Sequence, residues 1–561
     1  MDKLSPEQLA KDLNLSEEKI RKNLKKLLPR KRYEKIFQLV QKKNNRLSEN
    51  IRNFNLKIFT ANNINVFILL FFLVAVSYFN ALGNEFVSDD ISGIKNNPDV
   101  GKWSYVFLTF GGWLTRFIIF LTYKVGGASP AIFHFYSIFI HLLVVFTLYI
   151  LLNLFFKRSI AIGATAIFAV HPILAESVTW VSGMSYAQYS LFFLVSFIFY
   201  ILSAKNPRYY YLSVLFFLLS LFVNPTAISL SAIFFLYELC FGDLKNNWKK
   251  ILPYFSLTFV WMIIFALKIG SRLESLSNDF YQKTASQSIF IQAPVAIINY
   301  LKLIFWPRSL TLYHTELNFS PAAYFLIILI FILYLTAIIY YWKKNKFIFF
   351  WLSFFIIALS VTLTPLGVSW VVAERYVYLG SIGIFVVFAM FYDWLMERGG
   401  EKYKPVFYGI FAIIVISLSV RTIIRNIDWK DEDHLWPATV AVSPSGAPIH
   451  NNMGDVYARH QDYPKAIEEF TKATQINPGY ADAYHNLANV NQMAGNTNEA
   501  IKYYNKALSI NPNIWQSYQN LAAIYFQNGD KQKALENIQK AIQINPNNQQ
   551  LINNLKIIQG Q

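Results

Sequence analysis

The sequence predicts an all-α protein: a polytopic membrane helical bundle of about eleven spans, followed by a solenoid of paired helices. Hydrophobic residues make up 54% of the 561 residues and charged residues only 15%, a composition unlike that of a soluble protein of this length. Apolar runs recur between residues 64 and 424, each near the length that crosses a hydrocarbon core. Beyond them the chain becomes polar and repeats itself.

The apolar runs predict eleven membrane-spanning helices. They lie near 64–82, 131–156, 159–178, 184–203, 208–222, 226–241, 251–269, 322–342, 347–366, 376–396 and 404–424. Two more apolar stretches, 110–125 and 288–305, contain polar or glycine residues and are predicted as helices in or beside the outer interface. This threading places the basic residues between spans on one side, which the positive-inside rule makes cytoplasmic. The N-terminus is therefore predicted to be cytoplasmic and the solenoid extracytoplasmic.

The net charge of +18 is concentrated at the N-terminus, where residues 1–63 hold 16 Lys and Arg against 7 Asp and Glu. The residues around Ser5 have an N-cap pattern and helical spacing, and the segment loosely resembles a helix-turn-helix unit. A basic cytoplasmic helical segment explains this charge better than DNA recognition in a chain with so many spans. No nucleic-acid partner is predicted.

The C-terminal part repeats with a period of 34 residues, which is the tetratricopeptide period. The period is marked by prolines, and small and large apolar residues keep the same phase. The prolines are Pro444, Pro478, Pro512 and Pro546. A domain of residues 64–424 is thus predicted to continue through a linker at 425–446 into three repeats at 447–548 and a capping segment at 549–561. Asn491 stands where Tyr457 and Tyr525 stand in the other repeats, which predicts weaker packing of the middle repeat.

Two polar clusters follow the first span on the predicted extracytoplasmic side. Asp89 and Asp90 are adjacent acids, which can orient or deprotonate a hydroxyl, bind a divalent ion or simply mark a solvated loop. Arg116 lies within an otherwise apolar stretch, where it needs either an ion-pair partner or an anionic group such as a lipid phosphate.

Two further clusters are predicted to face the same side. His171 and Glu176 lie where one helix leaves the membrane and the next enters, which fits either ligand binding or packing. Glu374, Arg375 and Tyr376 open the tenth span. Adjacent Glu and Arg residues can neutralise each other; alternatively Arg375 binds a phosphate, with Tyr376 and Tyr378 lining the lipid entrance.

Taken in order, these motifs resemble the transmembrane-and-tetratricopeptide protein O-mannosyltransferases and their prokaryotic relatives, which have the GT-C glycosyltransferase fold. The resemblance runs from the first span to the C-terminus. It rests on Glu85–Asp90, Asn97–Val100, Phe133 and His134 with His141, His171 and Pro172 with Glu176, Trp306 and Pro307, and Ala373–Leu379, joined in this order to the repeats.

The resemblance implies transfer of a mannose-like sugar from a polyprenyl phosphate to a protein Ser or Thr, or to another extracytoplasmic acceptor. Asp89 is then the expected base or acceptor-orienting group, and Asp90 beside it is the second catalytic candidate. Arg116 and Arg375 are the candidate phosphate ligands. The further substrate-binding candidates are His171, Glu176, Glu374 and Tyr376. The lipid-linked sugar is the only ligand implied directly, and a divalent metal stays open because some relatives use one and others do not.

The chain departs from the family pattern at two places. Relatives carry a Gly-Arg-x-Asp element where this chain has Gly183–Tyr186, and Ser-Lys-Glu where it has Val223–Thr226. These lost charges favour a second hypothesis, a non-catalytic membrane scaffold that holds partner proteins on its repeats. A transporter is a third, although its polar groups would be expected near the bilayer midplane rather than at one surface. The predicted location is a prokaryotic plasma membrane, with the endoplasmic reticulum membrane as the alternative.

Overall fold

A computed structural model describes residues 47–108, 112–277, 289–363 and 370–560. Within these residues the chain is built from α-helices and short 3-10 and π turns, and it contains no β-strand. The predicted all-α fold class is confirmed. Most of the N-terminal segment, residues 1–46, lies outside the described residues, and residues 47–53 are helical.

Between residue 54 and the solenoid, the described residues form sixteen α-helices. They are α1 (Leu56–Asn62), α2 (Ile64–Tyr78), α3 (Trp103–Val106), α4 (Trp113–Gly126), α5 (Pro130–Phe155), α6 (Arg158–Val170), α7 (Ala175–Thr179), α8 (Ser185–Leu202), α9 (Arg208–Val223), α10 (Ser231–Cys240), α11 (Leu244–Ser277), α12 (Ile289–Phe305), α13 (Pro321–Lys344), α14 (Lys346–Leu359), α15 (Ser381–Gly399) and α16 (Lys404–Asp428). Their ends follow ordinary helix signals. Pro130 occupies the first turn of α5, and the Asn345 side chain accepts hydrogen bonds from Phe347 N and Ile348 N to cap α14.

Each of the eleven predicted spans overlaps a helix, although residues 364–366 of the span 347–366 lie outside the described residues. Six of the helices are long and apolar enough to cross a membrane, and α6 with the segment 172–179 forms a seventh candidate bent by 55°. The helices α9, α14 and the segment 225–240 are apolar but shorter, and α15, on the predicted span 376–396, is not among the candidates. Six crossings would place both ends of the chain on one side, whereas seven or eleven would place them on opposite sides. The count of eleven stays a prediction.

The two stretches predicted at the outer interface are also helical. The helix α4 begins at Trp113 and α12 begins at Ile289, while residues 110, 111 and 288 of the predicted ranges lie outside the described residues. Tyr300 and Ala296 of α12 are fully buried. This helix therefore packs into the bundle over part of its surface.

The solenoid consists of three helix pairs and a final helix, preceded by one more helix. These are α17 (Glu432–Val442), α18 (Ala447–Arg459), α19 (Tyr463–Ile476), α20 (Ala481–Met493), α21 (Thr497–Ile510), α22 (Trp515–Gln527), α23 (Lys531–Ile544) and α24 (Gln549–Gln559). The stretch predicted as a linker, 425–446, contains the end of α16 and the whole of α17.

Small residues in phase let the paired helices approach closely. Ala466, Ala500 and Ala534 are completely buried, and a Cβ atom on Gly454 would lie 2.7 Å from the Phe470 ring. Asn491 is buried in the middle repeat, where it donates to Leu487 O at 2.8 Å and accepts from Asn496 Nδ2 at 3.3 Å. These hydrogen bonds satisfy the polar group that replaces the tyrosine of the other repeats.

The first repeat shares an apolar core with the membrane part of the chain. Ile449, Met453 and Val456 of α18 belong to one buried cluster with Val87 and Trp180. The other buried members are Leu312, Tyr313, Trp429, Leu435 and Trp436. We call these ten residues the junction core. They place the solenoid directly against the loops that carry the polar clusters.

Candidate active site

The Asp pair occupies a tight turn after α2. Ser88 has a φ of 53°, in the left-handed region that residues with side chains seldom adopt. Asp90 N donates to Val87 O and Ile91 N to Ser88 O, both at 3.1 Å, which closes the turn. The two acids consequently point into different surroundings, one exposed and the other buried.

Asp90 is buried against Ser182. Its Oδ1 accepts a hydrogen bond from Ser182 N at 2.8 Å and another from the Ser182 hydroxyl. Its Oδ2 is buried without a hydrogen-bond partner. Burial raises the pKa of Asp90 to about 7, the Ser182 hydrogen bonds oppose that shift, and the neighbouring charge of Asp89 adds to it. Asp90 therefore serves mainly to fix the turn against Ser182.

Asp89 keeps an exposed side chain at the edge of the site. Partial desolvation by the surrounding protein raises its pKa above the ordinary value, and the positive charge of Arg375 lowers it. This arrangement provides an accessible carboxylate near a guanidinium. Of the two acids, Asp89 has the solvent access that a general base requires.

Arg375 is held by a buried carboxylate from another loop. Its Nη1 donates to Glu176 Oε1, and its backbone N donates to Glu176 Oε2 at 2.8 Å. The guanidinium carbon lies 5.4 Å from the centre of the Trp180 ring and 5.0 Å from that of Tyr376, so two aromatic faces flank the charge. Predicted site residues from two distant segments, around 176 and 375, thus meet at Arg375.

Glu374 forms a separate buried ion pair. Its carboxylate lies 3.2 Å from Arg425 Nη2, and its Oε1 accepts from Thr311 N at 2.5 Å. Arg425 also binds Asp428, at 3.0 Å. The alternative in which Glu374 and Arg375 neutralise each other is therefore wrong, because each residue pairs with a different partner.

Other predicted residues are placed away from these contacts. Arg116 lies on α4 with its guanidinium carbon 5.9 Å from the Tyr105 ring centre. His171 is buried, its Nε2 donating to Ile304 O at 2.9 Å and its Nδ1 accepting from Ile173 N at 3.2 Å. Both of its nitrogens thus bind the protein backbone. Tyr378 is likewise buried, with its hydroxyl 2.7 Å from His141 Nδ1.

The two departures from the family pattern meet beside the site. Asn224 Nδ2 donates to Ser185 Oγ at 3.2 Å, and Met184 is buried. Tyr186, which follows Ser185, has its ring centre 5.8 Å from that of Tyr376. The lost charges thus fall within a few contacts of Arg375.

Sequence reasoning missed Arg425, Trp180 and Glu432. Arg425 directly follows the last predicted span and was therefore assigned to the linker. Trp180 follows the His171–Glu176 segment, and only the fold brings it beneath Arg375. Glu432 belongs to the solenoid side of the chain, and its carboxylate reaches Ser88 N at 3.1 Å.

Among the described residues, no group of three or more His, Cys, Asp or Glu side chains has an arrangement that could hold a metal ion. The divalent metal stays a prediction. The arrangement of Asp89, Arg375 and Glu176 offers a proton acceptor and a cationic group held by a buried acid. Such a set can accept a proton from a hydroxyl while it stabilises an anion nearby.

The fold and these loops together define a polytopic membrane protein whose carboxylate and guanidinium site adjoins a tetratricopeptide solenoid. A family model of the tetratricopeptide repeat matches residues 445–513 and 481–547, which confirms the predicted repeats.

The chain is similar to proteins named protein O-mannosyl-transferases. It is 24% identical to human TMTC3 over 480 residues, which cover 74% of this chain and 52% of the human protein. A Caenorhabditis elegans protein O-mannosyl-transferase is 24% identical over 426 residues, or 69% of this chain and 59% of the relative. The predicted resemblance is confirmed, and the chain spans little more than half the length of these relatives.

Among solved structures, the crystal structure of MamA aligns with 21% identity and a TM-score of 0.19, covering 29% of this chain and 88% of MamA. A TM-score this low defines no common fold.

Proposed function

We propose that this protein is an integral membrane glycosyltransferase that moves a mannose-like sugar from a polyprenyl phosphate to a Ser or Thr hydroxyl of a protein. The proposal rests on the exposed Asp89 carboxylate, which lies within electrostatic range of Arg375, in a chain similar over 74% of its length to a human protein O-mannosyl-transferase. Acceptors other than proteins fit the same chemistry.

In the proposed reaction, Asp89 accepts the proton of the acceptor hydroxyl as its oxygen bonds to the anomeric carbon of the sugar. The bond between that carbon and the phosphate oxygen breaks, and polyprenyl phosphate leaves with the electron pair. Attack from the face opposite the phosphate inverts the anomeric centre. The negative charge that develops on the phosphate requires a cation held in place beforehand.

Arg375 supplies that cation. Within the described residues, Glu176 engages the side chain through Nη1, so the other N–H groups of the guanidinium can bind a phosphate oxygen. Trp180 and Tyr376 fix the guanidinium plane from its two flanks. Arg116 and His171 are proposed at the edge of the donor site, where their substrate-binding role depends on the resemblance alone.

The repeats are proposed to hold an acceptor polypeptide near the membrane, which raises its local concentration at the site. Asn486 Nδ2 donates to Asn451 Oδ1 at 3.1 Å, and Asn520 Nδ2 donates to Asn489 Oδ1 at 2.8 Å. Asn486 and Asn520, which occupy the same position in successive repeats, thus bind neighbouring helices, and any contact with an acceptor backbone would use their remaining polar atoms. We propose that the repeats lie outside the cytoplasm. They would face the outside of a plasma membrane or the lumen of the endoplasmic reticulum.

The substitution Asp89→Asn tests the proposal. Asn keeps the size of the side chain but cannot accept a proton at neutral pH, so we expect transfer to fall by about 10²-fold or more. Donor binding and membrane insertion should stay nearly unchanged. Sugar transfer to a Ser- and Thr-containing peptide would be measured in purified membranes with several polyprenyl-phosphate sugars. Wild-type activity that persists in the Asp89→Asn variant would remove the base assignment.

A non-catalytic scaffold is the second candidate. It is favoured by the loss of charges at Met184 and Asn224, which the fold brings close to the donor side of the site. A wild-type protein that is inactive with every lipid-linked sugar tested, yet binds partner polypeptides through its repeats, would support the scaffold.

A further inference from the structure

Glu432 connects the solenoid to the turn that carries Asp89. It lies at the start of α17, and its Oε1 accepts a hydrogen bond from Ser88 N at 3.1 Å. A second link lies three residues earlier in the same loop, where Glu85 N donates to Lys430 O at 2.7 Å. The loop between α2 and the Asp pair is therefore attached at two points to the segment that begins the solenoid.

The Glu432 carboxylate is itself fixed by the solenoid. Its Oε1 also accepts from Trp436 Nε1 at 3.2 Å, and its Oε2 accepts from Arg459 Nη1 at 2.9 Å. Arg459 is the last residue of α18, the first helix of the first repeat, and its Nη2 donates to Asp433 Oδ1 at 3.0 Å. The position of the first repeat thus determines where the carboxylate lies.

The turn needs such an acceptor because of the conformation of Ser88. A φ of 53° places a Cβ-bearing residue in the left-handed region, a strained conformation that persists only where surrounding contacts hold it. The hydrogen bond from Ser88 N to Glu432 fixes the peptide at that residue. Without it, the turn would relax towards negative φ and carry Asp89 away from Arg375.

We propose that Glu432 is a positioning residue that holds the Ser88 turn, so that the seating of the first repeat determines the placement of Asp89. The inference rests on the proposed function of Asp89. It assigns the first repeat a part in the reaction step itself, in addition to the holding of acceptors. The junction core supports the same link, because Val87 of the turn and Ile449 of α18 are buried in one cluster.

The test compares Glu432→Ala with Glu432→Gln in the full chain. The Gln side chain retains an oxygen that can accept from Ser88 N, whereas Ala removes the acceptor. With a short Ser-containing peptide as acceptor, we expect Glu432→Ala to lower the maximal rate about tenfold or more, since small misplacements of a reacting group are costly. The donor concentration for half-maximal rate should change by less than about twofold, and Glu432→Gln should retain most of the rate.

A second substitution separates turn positioning from damage at the junction. Glycine adopts left-handed φ values freely, so Ser88→Gly should recover part of the rate lost in Glu432→Ala and should have little effect alone. Glu468→Ala, at an exposed carboxylate that pairs with Lys472 on α19, is the matched control and should leave the rate unchanged. Loss of rate in Glu432→Ala without recovery by Ser88→Gly would overturn the proposal.

Hydrogen exchange of the Ser88 amide provides a readout that does not need activity. In the full chain in detergent or nanodiscs, the amide should exchange about tenfold faster or more in Glu432→Ala than in wild type, with Glu432→Gln near wild type. Equal exchange in all three proteins would overturn the link. If wild type transfers no sugar, the proposed function fails, while the exchange result still decides whether Glu432 holds the turn. Faster exchange with an unchanged transfer rate would show that the link does not position Asp89.

Discussion

Arg375 binds Glu176, 199 residues away along the chain, and does not pair with its neighbour Glu374. Glu374 pairs with Arg425 instead. One Glu-Arg dipeptide therefore joins two separate ion pairs. In the first, which belongs to the candidate site, Arg375 is 12% exposed, whereas the second is buried and holds the end of α16.

The Arg375 pair predicts a change in donor affinity. We expect Arg375→Ala to raise the donor concentration for half-maximal transfer about tenfold, because a charge-assisted contact with phosphate is lost. The substitution also leaves Glu176 buried without its partner, so Arg375→Ala combined with Glu176→Gln is the matched control for folding. Transfer rates over a range of donor concentrations would measure the effect. An unchanged donor requirement in a folded variant would show that Arg375 does not bind the phosphate.

The Glu374 pair predicts an effect on stability. Arg425→Met should lower the free energy of unfolding by about 3 to 5 kcal/mol, because it leaves the Glu374 charge buried and unpaired. Adding Glu374→Gln should restore much of the loss, since the fully buried carboxylate is then replaced by a neutral amide and only the partly exposed Asp428 stays charged. Thermal unfolding of the detergent-solubilised single and double variants would provide the comparison. If the losses in unfolding free energy of the two single variants add up in the double variant, the two side chains do not stabilise each other.

Asp90 predicts a dependence of stability on pH. Its pKa is raised to about 7 in the folded protein, so the folded state binds more protons than the unfolded state between about pH 4 and 7. Asp90 therefore favours the folded protein below this range, and the advantage disappears as pH rises through 7. Asp90→Asn should reduce the difference in melting temperature between pH 5 and pH 8. Only part of the difference should disappear, because burial also raises the pKa of Asp455 to about 7. An unchanged difference would contradict the burial of a titrating Asp90.

The arrangement across the membrane is tested by protease protection. Seven or eleven crossings place the repeats on the side opposite the N-terminus, and the sorting of basic residues makes the N-terminal side cytoplasmic. Protease added outside spheroplasts or sealed vesicles of known orientation should remove the repeats and leave residues 1–63 intact. Six crossings would place both ends together, and the two segments would then be cleaved or protected together.

Much of the architecture could be predicted because its signals are periodic. The repeats are specified by prolines and alanines at a fixed spacing, and each predicted span overlaps a helix because long apolar runs can satisfy their backbone only as helices. The number of crossings could not be predicted equally well. Short apolar helices such as α9 and α14 have the composition of spans without the full length.

The candidate site was predictable by residue type but not by pairing. Asp89, Glu176 and Arg375 could be selected because charges are scarce near apolar runs. Which acid binds Arg375 depends on the packing of three loops, and adjacency in sequence suggested the wrong partner. Glu432 was beyond prediction for a related reason, since its importance depends on the backbone conformation of Ser88, which side-chain composition does not reveal.

The junction core constrains changes in the first repeat more than changes at the other end of the solenoid. The first repeat packs against the membrane part of the chain through Ile449, Met453 and Val456. Repeats could therefore be gained, lost or exchanged at the far end, near α24, without disturbing the candidate site. An exchange of the first repeat would have to preserve its contacts with the membrane part. Chimeras that join this membrane part to a foreign solenoid should accordingly place their crossover after α19.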